Sequence, residues 1–219
     1  MAFFFTLYIT MKAQIKVPES LEEITLKQYQ KWLKISEGKE LDSFLQQKMI
    51  EIFCNVPLKQ VLTIKMNYVN KICTAIDELF KQQPMFIDRF KYKGVQYGFI
   101  PKLDDITFGE YVDLDTYLAD WSLMHKAMSV LYRRINFEKD KEYIIDPYES
   151  AEAYDLQNIT LDIVFGALVF FYNLSNELQL RILNYLATQE EVDLPQDLRA
   201  SVLNGDGINP SMDYAKGIL

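Results

Sequence analysis

The sequence has 219 residues, of which 49% are hydrophobic and 14% aromatic, and this is too apolar for an intrinsically disordered chain. Its formal net charge of −8 disfavours direct binding to nucleic acid, because the phosphate backbone repels an acidic protein. With only 8 glycines and 7 prolines, an all-β fold that needs many tight turns is also disfavoured. Composition therefore favours a folded, mainly helical chain.

The N-terminus begins with an apolar run, MAFFFTLYIT, that is too short to cross a bilayer, which needs about 20 residues. A signal peptide carries basic residues before its apolar run, whereas Lys12 follows this one. We interpret residues 1–11 as a non-native or flexible extension, with Met11 as the true start; an added first strand is the alternative. Residues 12–17 alternate polar and apolar and predict a short edge strand. We expect a soluble chain that does not bind membranes.

Helix-capping signals dominate the first third of the chain. Two overlapping capping boxes, Ser20 to Glu23 and Thr25 to Gln28, precede an apolar stripe with helical spacing. Proline removes a backbone donor and disfavours helix at the residue before it. Three helices are therefore predicted here: one that Gly38 ends, one from near Asp42 to the break at Asn55-Val56-Pro57, and one from about Thr63 to Gln83, closed by Pro84.

The middle of the chain carries a turn signal, Lys93-Gly94, between two aromatic-rich runs. Glycine accepts positive φ, so this pair predicts a β-hairpin over about residues 86–100. A capping box from Thr107 to Glu110 predicts a helix through about Leu118. The apolar spacing then predicts a further helix from Trp121 to Ile135, whose Arg133, Arg134 and Lys126 we interpret as a solvated basic face paired with nearby acids.

The last third contains the most apolar segment of the chain, which follows Thr160 and predicts a centrally buried helix. Before it, Glu138 to Glu142 is predicted as a charged loop, and Ser150 as the cap of a brief helix through Gln157. Ser175 predicts the start of a final helix to about Gln189. We expect residues 12–189 to form a single mainly α (α+β) domain, in which helical groups flank the small hairpin, followed by a disordered acidic C-terminal tail, 190–219.

No catalytic or metal-binding constellation is apparent in the sequence. His125 stands alone, without a nucleophile or acid at a telling spacing. The carboxylates of Glu110, Asp113, Asp115 and Asp120 lack the spacing of a calcium loop and are explained by helix-start electrostatics. We therefore predict neither enzyme activity nor a cofactor, and the alternative enzyme would use His125 with Asp120 or Glu110. The two cysteines, Cys54 and Cys73, are expected to be buried free thiols.

One series of segments resembles a known protein family. The hairpin YKGVQYGFIP is followed by LDDITFGEYVDLDTYLAD and then LYRRI, and the chain opens with ITLKQYQKWLKI. Over about residues 15–175 this order is similar to morphogenesis proteins of tailed bacteriophages, and in particular to tail-assembly chaperones. The resemblance implies a protein of the host cytoplasm that binds tail-tube or tape-measure protein. The alternative is a permanent virion component, a head–tail connector near the portal or an internal cargo protein; homo-oligomerisation is left open.

The aromatic content suggests contact residues for such a partner. Tyrosine and phenylalanine are enriched at interface cores because they bury a large area at a low entropy cost. For each ring taken singly, packing between the hairpin and the following helix is the competing explanation, and the favoured one. The candidate partner-binding residues are Tyr97, Phe99, Phe108, Tyr111 and Tyr117.

Overall fold

The structure is a computed structural model that describes residues 15–103, 106–140 and 142–173. It confirms a mixed α+β fold that is mainly helical. The predicted extension 1–11, the final helix from Ser175 to Gln189 and the tail 190–219 lie outside the described residues. Residues 15–17 are described and contain no strand, so the predicted edge strand is wrong for that part of the 12–17 segment.

The helices, in chain order, are α1 (Leu26–Ser36), α2 (Ser43–Phe53), α3 (Leu58–Val61), α4 (Met66–Phe80), α5 (Phe108–Leu118), α6 (Met124–Leu131) and α7, described over 161–173. Short 3-10 turns occupy Leu21–Glu23 and Trp121–Leu123. The strands are β1 (Arg89–Tyr92), β2 (Val95–Phe99), β3 (Tyr132–Lys139) and β4 (Glu142–Ile145). Within the described ranges, no helix is both long and apolar enough to cross a membrane.

The chain divides into two compact units. In the described part, the first consists of residues 15–82 with 157–162, and the second of residues 83–156 with 163–173. Compactness of a unit does not decide whether it folds independently. The single domain over 12–189 therefore stays a prediction.

The first unit is helical, and α1 and α2 begin where the capping signals predict. The predicted capping box from Ser20 to Glu23 is wrong, because the Ser20 side chain makes no capping bond, and the helix predicted from about Thr63 begins at Met66 without a side-chain cap. The short α3 was not predicted. The Thr25 hydroxyl accepts from the Gln28 amide (3.3 Å) and the Gln28 side chain accepts from the Thr25 amide (2.9 Å), which completes a capping box for α1. Asp42 caps α2 by a single bond, in which its carboxylate accepts from the amide of Leu45 (2.8 Å). Apolar stripes bury the inner faces, and four rings pack edge to face in series: Trp32, Phe53, Phe80 and Tyr29.

The second unit is built on an antiparallel sheet with strand order β1-β2-β3-β4. The predicted hairpin is confirmed as β1 and β2, with Lys93 at φ 49° and Gly94 at φ 82°, the left-handed pair that a two-residue hairpin turn requires. The predicted helix from Trp121 to Ile135 is wrong in its second half, because α6 ends at Leu131 and β3 begins. Hydrogen bonding to β2, with Phe99 opposite Tyr132, extends the chain where local spacing favoured helix.

Two further predictions in this unit are wrong. The charged residues Glu138 to Glu142 do not form a loop, because most of them belong to the β3–β4 hairpin, which turns at Asp140. The segment after Ser150 is a turn rather than a helix. Tyr154 donates to Asp146 (2.7 Å) and Asp155 pairs with Lys93 (3.0 Å), and these distant partners hold the segment in a non-helical path.

A tyrosine lies across the sheet and ties its strands together. The Tyr143 ring of β4 covers Gly98 of β2, where an added Cβ would collide with the ring. Its hydroxyl donates to the carbonyl of Phe99 (2.8 Å), and the Arg89 guanidinium of β1 lies 5.4 Å from its centroid. Arg89 also pairs with Glu138 of β3 (2.6 Å), so side chains of β1, β3 and β4 meet over the backbone of β2 on this face.

A candidate protein-binding surface on helix α5

Helix α5 begins at a complete capping box. The Glu110 amide donates to the Thr107 hydroxyl (3.3 Å), and the Glu110 carboxylate accepts from the Thr107 amide (2.7 Å). Two amides that would otherwise lack partners are thereby satisfied. The predicted start of this helix at Thr107 is confirmed, and so is its end at Leu118.

The inner face of α5 carries a buried ion pair. Oε1 of Glu110, 3% exposed, accepts from the guanidinium of Arg133, 7% exposed, at 2.7 Å. The Tyr148 ring lies 5.8 Å from that guanidinium. The sequence predicts Arg133 as a helical residue on a solvated face, and this is wrong. Arg133 is a β3 residue whose charge is neutralised inside the second unit. Because removing one partner leaves the other charge buried and unpaired, this contact fixes which face of α5 points inward.

A second polar contact holds the middle of the same face. The Tyr148 hydroxyl donates to the carboxylate of Asp113 through a short hydrogen bond. Burial, and then the adjacent Asp113 charge, raise the pKa of Tyr148 well above its ordinary value, because both disfavour the phenolate. The hydroxyl therefore stays protonated and remains a donor to Asp113 across the physiological range.

The outer face of α5 is apolar. Phe108, Tyr111 and Val112 are 82%, 56% and 44% exposed, and their spacing of i, i+3 and i+4 places them on one side of the helix. Asp115 continues the same stripe by one turn and is also exposed. The inner side carries the buried Glu110 and Leu114, whereas the outer side carries the exposed Phe108. The three apolar side chains, which we call the α5 patch, form a contiguous exposed group on a positioned helix.

The structure separates the five predicted contact residues into two groups. Tyr97 and Phe99 are buried in the second unit, where Tyr97 stacks on Phe90 with centroids 5.6 Å apart. Their rings therefore serve packing, the competing explanation for each. Tyr117 is half-buried, with the Lys126 ammonium 5.5 Å from its ring centroid. Only Phe108 and Tyr111 are exposed together.

Val112 completes the α5 patch and was not among the candidates from the sequence. Its signal was available, since an apolar residue four positions after Phe108 shares its helix face. Val112 is not aromatic, so a criterion of aromatic rings alone does not select it.

The residues of the alternative enzyme have structural partners. Both carboxylate oxygens of Glu110 are bound, one by Arg133 and the other by Thr107. Asp120 caps the following 3-10 turn through the amide of Ser122 (2.8 Å). His125 is half-buried, and burial, with Lys126 nearby, lowers its pKa. In the part of the chain that the structure describes, no three histidine, cysteine or acidic side chains are grouped so as to hold a metal ion.

The cysteines are free and buried, as predicted. Burial raises the pKa of Cys54 to about 12 and that of Cys73 to about 11, so neither thiol is activated as a nucleophile.

Comparison of the chain with protein-family models, with curated proteins and with solved structures finds no match.

Proposed function

We propose that the chain is a protein-binding assembly factor of a tailed bacteriophage, a tail-assembly chaperone, and that it holds its client through the α5 patch. The observation that carries the proposal is the orientation of helix α5, which keeps Phe108, Tyr111 and Val112 exposed while Glu110 and Leu114 are buried on its inner face. The phage setting comes from the sequence resemblance over about residues 15–175.

The patch has the physical properties of a docking surface. Withdrawing a phenylalanine or valine side chain from water contributes about 1.5–3 kcal/mol when it becomes fully buried. The helix that carries these side chains is held by the Glu110–Arg133 pair and by the Asp113–Tyr148 bond, so little order has to be gained on binding. A preorganised apolar patch suits binding to apolar segments of unassembled proteins.

The test uses the tagged full-length chain in infected cells, with captured proteins identified by mass spectrometry, beside the protein inventory of purified virions. We expect tail-tube or tape-measure protein in the capture and no copy of the chain in virions. The double variant Phe108→Ser/Tyr111→Ser should lose the client. The matched control, Leu62→Ser/Met66→Ser, removes two similarly exposed apolar side chains from the first unit and should keep it.

Three results would contradict this proposal. A fixed number of copies per virion would favour the alternative, a permanent structural component. A client that the Phe108→Ser/Tyr111→Ser variant still captures would place the binding surface elsewhere. Turnover of a substrate that disappears in His125→Ala would overturn the binding role altogether.

A further inference from the structure

Asp115 is the one carboxylate of α5 whose side chain has no partner among the described residues. Glu110 is bound by Arg133 and Asp113 by Tyr148. The Asp115 side chain makes no hydrogen bond or ion pair with any residue that the structure describes, and it is exposed. It lies three residues after Val112 and four after Tyr111, so it adjoins the α5 patch on the same side of the helix.

The position of Asp115 is electrostatically unfavourable for α5 by itself. Asp115 lies in the last helical turn, where the backbone carbonyls give the helix end a partial negative charge. That turn contains no lysine or arginine, and neither does the rest of Phe108–Leu118. A cation placed beside Asp115 would interact favourably with both the carboxylate and the helix end.

We infer that the segment docking on the α5 patch is an amphipathic helix that carries a lysine or arginine beside its apolar stripe, opposite Asp115. This inference rests on the proposed function and specifies the chemistry of the partner. The patch occupies the first turn of the 11-residue helix α5 and Asp115 continues its line by one turn, and helices pack side by side at about 8–10 Å when their apolar ridges interdigitate. A second copy of α5 is a poor occupant, because it would bring another acid and no base.

The inference has a diagnostic substitution, Asp115→Asn. Removing the charge should raise the Tm of the isolated protein by about 1–3 °C, because it relieves the repulsion at the helix end. The same change should weaken binding of the basic helix about two- to five-fold, because one exposed ion pair is lost. If Asp115 had only a structural role, its replacement would change the Tm without weakening the binding of the helix. Glu40→Gln, at an exposed loop residue of the first unit, is the matched control for charge and should leave affinity unchanged.

The experiment is a selection from a display library of random helical peptides on the immobilised full-length chain. Enriched peptides should share apolar residues at i, i+3 or i+4 with an adjacent lysine or arginine, and should not bind Phe108→Ser/Tyr111→Ser. The same selection on Asp115→Lys should enrich aspartate or glutamate at the adjacent position, and this reversal of charge is the decisive result.

The outcomes separate this inference from the proposed function. Enriched peptides without a charge preference, or with one that Asp115→Lys leaves unchanged, overturn the basic partner. The proposed function survives that result if Phe108→Ser/Tyr111→Ser still loses its client in infected cells. No enrichment, extended rather than helical peptides, or self-association through the patch in sedimentation experiments would each overturn the inference directly. Peptides that bind the double variant as well as the unaltered chain overturn the choice of surface.

Discussion

The inner and outer faces of helix α5 differ in burial and in charge. Its inner face buries Glu110 against Arg133, and its outer face presents Phe108 to solvent. Leu114 is also buried on the inner face, so apolar burial and the ion pair act there together. A helix whose inner face is held in this way can leave apolar side chains exposed on its outer face.

The largest expected effect comes from removing the charge that orients the inner face. Glu110→Ala leaves the buried Arg133 unpaired and also breaks the capping box, so the free energy of unfolding should fall by about 3–5 kcal/mol, measured by urea denaturation.

The double variant Glu110→Leu/Arg133→Met tests whether that loss comes from the unpaired charge. It should recover most of the stability, because it leaves no buried charge and because Nε of Arg133 lacks a partner among the described residues in any case. A single variant as stable as the original chain would show that the pair does not orient α5.

A smaller effect is expected from Tyr148→Phe, which removes the hydrogen bond to Asp113. We expect a loss of about 1.5 kcal/mol at pH 8, measured by urea denaturation. The pKa of Tyr148 is raised in the folded chain, so the stabilisation is complete below the unfolded pKa of about 10 and is lost as the pH rises above it.

The pH dependence provides the control for this effect. The stability difference between the original chain and Tyr148→Phe should therefore shrink from pH 8 to pH 10.5. An equal difference at both pH values would indicate lost packing instead. Tyr111→Phe, on the outer face, should not alter stability at pH 8.

The capping box offers a more local test of the inner face. Thr107→Ala removes the hydroxyl that accepts from the Glu110 amide, so unfolding should become easier by about 1 kcal/mol in urea. Thr107→Ser keeps an acceptor at the same place and should restore most of the loss. If both substitutions cost the same, the threonine methyl group rather than the cap would be responsible.

The smallest effect on stability is expected on the outer face. Phe108→Ser/Tyr111→Ser should change the free energy of unfolding by less than about 0.5 kcal/mol, because exposed side chains away from special contacts contribute little. Thermal unfolding followed by circular dichroism measures this change. A marked loss of stability would show that these rings are covered in the folded chain and would break the contrast between the two faces.

Elements with strong local signals could be predicted from the sequence, whereas those decided by distant partners could not. Thr25, Asp42 and Thr107 mark helix starts because their side chains bond to amides only three positions away. The strand β3 could not be predicted because Leu131 and Ile135 continue the apolar spacing of α6, while pairing with β2 determines the conformation of Tyr132 to Arg134.

The same limit applies to the candidate surface. Knowing that an aromatic residue lies in a helix or a strand does not determine whether it lies on the buried face or the exposed face. Tyr97 and Phe108 look alike in sequence, yet one is buried by the sheet and the other is turned outward by an ion pair to Arg133, 23 positions after Glu110.

The contact between Gly98 and Tyr143 also restricts how the chain can change over generations. A side chain at position 98 would collide with the ring, and loss of the ring would uncover Gly98 and remove one contact of Arg89, which also pairs with Glu138. A larger residue at position 98 therefore requires a smaller one at position 143. We expect the codons for these two positions to change together in a lineage rather than one at a time.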